Sequence, residues 1–232
     1  MNSLLEGLRA ALELIVRCDA ELATILFTTL KVSVASTAIA SVIALPAGFF
    51  LSGRSFRGKR AILVALRTAL AFPTVLVALV AYAFLMRRGL LGSLGLLFTP
   101  LAIVIGQVLL VLPLLTALVH SALRGSVRTV YEEAILLGAS PAAAFLKTLV
   151  ETRGAVLTAL MTGFGRVVSE IGISLVLGGN IRGLTRTMTT AIALESSQGN
   201  FPQAIALGLV LLLLVLVINV GVQTVEARTG SL

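Results

Sequence analysis

Cysteine occurs once in this chain, at Cys18, and histidine once, at His120. A single thiol excludes an internal disulfide and any metal cluster built on thiolates, and a single imidazole argues against a histidine-based zinc site. Charge is scarce too. Only 12% of the residues are charged and 58% are hydrophobic, where soluble domains average about 25% and about 45–50%. The Walker A pattern Gly-x-x-x-x-Gly-Lys-Ser/Thr, the nucleophile-elbow serine and His-Glu-x-x-His are all missing. The chain therefore has no means of its own to bind ATP through a P-loop, and nothing in it points to an enzyme.

What is present is apolar length. The mean hydropathy is +1.07, which makes this an integral membrane protein, and 232 residues fit one domain of a few spans. A hydrocarbon core takes about 20 apolar residues to cross. Five segments meet that need: 22–51, 61–86, 101–119, 155–177 and 204–222. Pro46, Pro73 and Pro113 fall inside spans, where neighbours re-satisfy the freed carbonyls. The fold class expected is an all-α membrane bundle of about five transmembrane helices plus an N-terminal amphipathic helix. Residues 1–20 form that helix and 21–232 the transmembrane domain. Leu4, Leu5, Leu8, Leu12, Ile15 and Val16 share one helical face, fit either for the membrane interface or for packing on the protein itself. Glu6, Arg9, Glu13, Arg17, Asp19 and Glu21 interrupt any clean apolar core of a cleaved signal.

The net charge of +8 comes from 18 Lys and Arg against 10 Asp and Glu. In a membrane protein this marks cytoplasmic loops rather than nucleic-acid binding. Arg54, Arg57, Lys59 and Arg60 place the loop 52–60 in the cytoplasm. Arg124, Arg128, Lys147 and Arg153 place the segment between the third and fourth spans there as well. The N-terminus is then outside and the C-terminus inside.

The segment 128–153 carries "YEEAILLGASPAAAFLKTLVE", too charged to cross. Gly138 suits the left-handed end of one helix. Ser140 suits the cap of the next and Pro141 its first position. A charged helix-turn-helix between spans reads as a docking site for a second protein. A DNA-binding helix-turn-helix is a poor alternative, because spans flank it tightly and its second helix is nearly uncharged.

In the fourth span, Arg166 and Glu170 stand at i, i+4, on one helical face and able to pair. Each would cost about 2.5–3.5 kcal/mol alone at the membrane centre, so either a pathway role or a structural pair holding helices together accounts for them. After this span comes "GGNIRGLTRTMTT". Arg182 and Arg186 with Thr185, Thr187, Thr189 and Thr190 offer charge and hydroxyl donors for an anion, a contact for a partner protein, or a solvated loop. Gly163 and Gly165 suit close helix packing, and Gln107 and Asn219 suit hydrogen bonds between helices.

"EEAILLGAS" resembles the EAA motif of importer-type ABC transporter permeases at Glu132, Ala134 and Gly138, with the Gly138-Ala139-Ser140 extension and Phe145. Glu133 stands at the usual Ala, and Glu151 at the Pro of a common Leu-Pro pair. "GFGRVVSEIGISLVLGGNIRGLTRTMTTAIALE" resembles the oxyanion branch of the family, most of all its tungstate permeases, which also tend to lack that Pro. Molybdate and sulfate relatives share a similar core. The resemblance implies a type I ABC importer permease fold and a homodimer in the lipid bilayer. It also implies a separate ATPase that carries the ATP and Mg, an extracytoplasmic oxyanion-binding protein, and no cofactor on this chain. It assigns Glu132, Glu133, Ala134, Gly138, Ala139 and Ser140 to coupling with the ATPase. Arg166, Ser169, Glu170 and Asn180 are assigned to the translocation pathway or gate, and Arg182, Thr185, Arg186 and Thr187 to outer contacts with the anion or its binding protein. A self-sufficient secondary transporter is the distant alternative, but no internal repeat supports it. An intramembrane enzyme would need a catalytic constellation that the sequence does not have.

Overall fold

The computed structural model describes the backbone of residues 2–16, 19–53 and 55–229, and the side chains of 6–13, 19–53, 55–127 and 129–224. Cys18, Arg17 and Arg54, and the side chains of Leu4, Leu5, Ile15, Val16 and Arg128, lie outside that set. Eleven α-helices and no strand occur among the described residues. They are α1 (Asn2–Val16), α2 (Ala20–Gly53), α3 (Lys59–Leu70), α4 (Thr74–Leu85), α5 (Pro100–Leu123) and α6 (Glu132–Leu136), then α7 (Pro141–Glu151), α8 (Arg153–Val168), α9 (Gly172–Gly178), α10 (Met188–Ser197) and α11 (Phe201–Thr229). A 3-10 turn, Gly92–Leu94, precedes α5, and a π-helical turn, Val127–Tyr131, precedes α6.

By length and composition, α2, α5 and α11 can each cross a membrane, with α11 qualifying over Phe201–Thr224. Two interrupted pairs, α3 with α4 and α8 with α9, pass the same test as pairs, which brings the total to as many as five. The second and fourth apolar segments, expected as single spans, are therefore interrupted. In the second, Pro73 has no N–H to give and disfavours helical backbone at Phe72. The chain tightens instead: Ala71 N donates to Thr68 O at 3.0 Å and Phe72 N to Ala69 O at 3.2 Å. Pro46 and Pro113 stay inside α2 and α5. In the fourth, α8 ends at Val168 and α9 begins at Gly172. The helical register that would have set Arg166 and Glu170 on one face does not reach Glu170.

The chain divides into two compact units. The first comprises Met1–Ala35, Thr74–Gln107 and Val168–Leu232. Its core joins Leu22 and Ile25 of α2 to Met188 and Ala191 of α10 and to Leu207 and Val210 of α11. Gly106 of α5 lies against Ile173 and Leu177 of α9; a Cβ there would sit 2.6 Å from Ile173 Cγ2. Helix α1 packs along α11, and of the leucine face read from the sequence only Leu8 and Leu12 have described side chains. Gly7 and Ala11, one turn apart, are buried, while Leu8 and Leu12 are 50% and 63% exposed. Small residues let two backbones approach closely, and a Cβ on Gly7 would meet Ile205 Cγ2 at 2.6 Å.

The second unit comprises Ser36–Pro73 and Val108–Val167. Ala40 and Ala44 of α2 pack with Val111 and Leu115 of α5 and Val167 of α8. A second cluster gathers Val119, Leu123 and Val127 with Val156 and Ala159 of α8. Gly163 does serve close packing, against Leu115, whereas nothing lies within 4 Å of a Cβ at Gly165. Asn219, in the first unit, donates to Val215 O of its own helix at 2.9 Å rather than bridging to another.

Candidate functional sites

The coupling-type turn is built from local chemistry in the second unit. Helix α6 runs only from Glu132 to Leu136 and ends in a Schellman motif. Gly138 takes φ 89°, its N–H donates to Ile135 O at 3.0 Å, and Ala139 N donates to Ala134 O at 2.9 Å. No atom lies within 4 Å of a Cβ at Gly138, so its backbone conformation is what demands glycine there. Ser140 is extended and its Oγ accepts from Ala143 N at 3.3 Å, with Pro141 at the first helical position of α7. Gly138, Ser140 and Pro141 thus take the conformations that their residue types imply.

Helix α7 buries Ala144 and Thr148, and Thr148 Oγ1 donates to Ala144 O at 2.8 Å. On its exposed face Lys147 Nζ meets Glu151 Oε1 at 2.6 Å. That hydrogen bond, helped by the lysine's charge, holds the Glu151 carboxyl below its ordinary range. Glu132, Glu133 and Ser140 are exposed, while Ala134 and Ala139 are half-buried. The residues that sequence reasoning passed over are Leu136 and Leu137, at 85% and 88% exposure on the tip of the turn. Two leucines this bare beside two glutamates form a small apolar knob on a charged rim. The signal was the pair of leucines before Gly138, which periodicity alone reads as helix filler.

Of the other assigned residues, Arg166 belongs to the second unit; Ser169, Glu170, Asn180, Arg182, Thr185, Arg186 and Thr187 belong to the first and lie in the segment between α8 and α11. Glu170, 3% exposed, occupies the interruption between α8 and α9. Its Oε1 accepts from Ile173 N at 3.3 Å, and its carbonyl accepts from Thr189 Oγ1 at 3.0 Å and Ser174 Oγ at 3.3 Å. Glu170 therefore ties the start of α9 to the start of α10. Thr187 caps α10 in a reciprocal box with Thr190: Thr190 N donates to Thr187 Oγ1 at 3.4 Å, and Thr187 N to Thr190 Oγ1 at 3.0 Å. Thr29 of α2 adds a further tie, its Oγ1 accepting from Met188 N at 2.9 Å.

The threonine hydroxyls that the sequence offers to an anion, a partner or a loop make hydrogen bonds inside the fold. Thr185 donates to Gly178 O at 2.6 Å and accepts from Ile181 N at 3.0 Å. Thr189 donates to Glu170 O, and Thr190 to Thr187 O at 3.1 Å. All four threonines, 185, 187, 189 and 190, are buried. They act on the loop's shape, which also uses left-handed backbone at Gly179, Asn180 and Gly183. The arginines differ in setting. Arg182 is 72% exposed at its side chain and Arg186 18%, and both bind Glu21 in the first turn of α2. The Arg186 Nη1 to Glu21 Oε1 distance is 3.2 Å. Glu21 offsets one of the two positive charges, and nothing in the local sequence pointed to it. Two buried polar atoms here have no hydrogen-bond partner, Asn180 Oδ1 and Arg186 Nε. No cluster of three or more metal-ligating side chains occurs among the described residues. Arg166 lies in the last turn of α8 and Ser169 in the interruption.

Comparison with known proteins gives one family match. Residues 40–231 match the family described as the binding-protein-dependent transport system inner membrane component. A tungstate uptake system permease protein from Peptoclostridium acidaminophilum is 38% identical over 226 residues, 97% of this chain and 99% of the relative. One from Campylobacter jejuni subsp. jejuni is 37% identical, covering 94% and 92%. A probable anion ABC transporter permease protein from Haloferax volcanii is 37% identical, covering 85% and 88%.

Proposed function

Because the chain belongs to the inner-membrane components of binding-protein-dependent transport systems, we propose that it is the permease of an ATP-driven importer whose cargo is tungstate. It is a transport subunit with several apolar helices, and the partners that its family implies are an ATPase and a cargo-binding protein. The observation that supports the ion is the near full-length similarity to two tungstate uptake permeases.

In this reading two copies of the chain form the pore within the lipid bilayer, since the five or fewer spans among the described residues are few to enclose one. The N-terminus is outside and the C-terminus inside, from the basic residues at 54–60 and 124–153. Glu132, Glu133, Ala134, Gly138, Ala139 and Ser140 form the part that the ATPase grips, with Leu136 and Leu137 as its apolar tip. Closure of the ATPase then reaches the spans through α7 and α8. Alternating access needs two states that the docked partners bind differently. The interruption at Ser169–Ile171 is the place where such a change enters the fourth span. Arg166, Ser169, Glu170 and Asn180 serve the gate. Arg182 and Arg186 present positive charge outside, and Thr185 and Thr187 hold the loop that carries them.

The test is oxyanion uptake at nanomolar concentration in cells with and without the gene, comparing tungstate, molybdate and sulfate, with ATP depletion as control. ATP-dependent tungstate uptake lost with the gene is the expected result. Loss of molybdate or sulfate uptake alone overturns the ion and leaves the transport class standing.

A further inference from the structure

Two arginines and one carboxylate meet where the loop after α9 touches the start of α2, all within the first unit. Arg186 Nη1 donates to Glu21 Oε1 at 3.2 Å, and Arg182 Nη2 donates to Glu21 Oε2. Each carboxylate oxygen thus takes one guanidinium. Neither element needs Glu21 for its shape. Asp19 caps the first turn of α2, its Oδ1 accepting from Glu21 N at 2.9 Å. The loop is closed by its own bonds: Ile181 O accepts from Leu184 N at 3.1 Å, Thr185 N at 2.9 Å and Arg186 N at 3.0 Å. A clamp that shapes neither partner calls for another role.

Glu21 also leaves a donor unmet. Arg186 Nε is buried and has no hydrogen-bond partner among the described residues. Guanidinium forks match carboxylates and phosphate-type oxyanions alike, and a tetrahedral oxyanion brings more acceptor oxygens than a carboxylate does. The cluster holds two positive charges and one negative. A dianion would have to displace Glu21, because like charges at one site disfavour each other. A third of the Glu21 side chain is exposed, so water can take it when it leaves. We propose that Arg182 and Arg186 form an oxyanion subsite on the permease and that Glu21 is its built-in competitor. A tethered group acts at an effective concentration of about millimolar, so dilute anions in bulk do not open the subsite. An ion set free beneath a docked binding protein is confined as well and competes on better terms. The inference rests on the transport reading for its cargo, while its chemistry applies to any tetrahedral oxyanion.

The test uses the purified intact transporter, permease with its ATPase, without the binding protein. Equilibrium dialysis measures its affinity for tungstate, molybdate and sulfate. Glu21→Gln keeps the size of the side chain and removes its charge. It should bind oxyanion about five- to tenfold more tightly than wild type, the scale of two partly solvated ion pairs. Adding Arg182→Gln, at an exposed position, should abolish the gain. A purely structural clamp predicts a lower melting temperature for Glu21→Gln and no gain for any of the three anions. That result overturns the proposal, as does a gain that survives Arg182→Gln. The cargo is judged separately. A gain for molybdate or sulfate without tungstate supports the subsite and speaks against tungstate. Gene-dependent tungstate uptake with no gain in Glu21→Gln keeps the transport reading and removes the competitor. Where Glu21→Gln fails to assemble, Glu21→Asp keeps the charge at shorter reach; a smaller gain then supports the competitor, and none overturns it.

Discussion

Gly138 bears a requirement that can be isolated, because its neighbours leave open space and only its φ of 89° excludes other residues. A side chain in that conformation costs roughly 1–2 kcal/mol, and asparagine tolerates it best. Gly138→Val should therefore disturb the turn while leaving insertion intact, and Gly138→Asn should disturb it less. The readout is the ratio of ATP hydrolysed to ion transported by the reconstituted complex. That ratio should rise severalfold for Val and stay near wild type for Asn; normal coupling in Gly138→Val would count against docking at this turn. Local chemistry of this kind is what a sequence displays well. Gly138, Ser140 and Pro141 each point to one conformation, and each adopts it. The Glu21 clamp on Arg182 and Arg186 is the opposite case. The pairs are 161 and 165 residues apart, so the sequence shows two exposed cations where the fold makes a partly neutralised cluster.

Between α8 and α9 the chain stops being a helix for three residues, and Glu170 is the residue that organises the gap. Composition hid the gap, because apolar residues continue on both sides and no proline marks it. Even proline is an ambiguous mark here: Pro73 ends a helix while Pro46 and Pro113 sit within one. In α1, among the described side chains, the buried positions are Gly7 and Ala11 while Leu8 and Leu12 stay exposed, which leucine periodicity does not foretell. Packing in these helices follows shape as much as hydrophobicity. For Glu170 the consequence is testable. Its Oε1 accepts from the buried Ile173 N–H, and leaving a buried donor unsatisfied costs about 1–3 kcal/mol. Glu170→Ala should lose uptake or assembly, while Glu170→Gln, which keeps an acceptor oxygen, should retain a measurable part of both. Uptake together with the yield of folded protein decides it: wild-type values for Glu170→Ala would remove the residue from the gate.

Across the whole chain, the open question is how many times it crosses the bilayer, and the interrupted α3–α4 pair decides it. Suppose the pair crosses as one span. The loop after α2 and the turn after α5 are then separated by two crossings and share a side, with the α4–α5 connection opposite. Suppose instead that the pair enters and returns. The α4–α5 connection then joins the loop after α2, and the turn moves to the other face. Charge favours the first arrangement, since the loop has Arg57, Lys59 and Arg60 and the turn region has Arg124, Lys147 and Arg153, and basic residues collect in the cytoplasm. Every residue of α3 escapes full burial, which leaves its apolar side chains for lipid or for a second copy. Single cysteines in a Cys18→Ser background read the answer directly. Ser55→Cys marks the first loop, Ser93→Cys the α4–α5 connection and Thr129→Cys the turn, all three at exposed positions. With a membrane-impermeant maleimide on intact cells, Ser93→Cys should label, and Ser55→Cys and Thr129→Cys should label only after permeabilisation. If Ser55→Cys and Thr129→Cys fall on opposite sides, the pair is re-entrant, the chain has four crossings or fewer, and its two termini need not lie on opposite faces of the membrane.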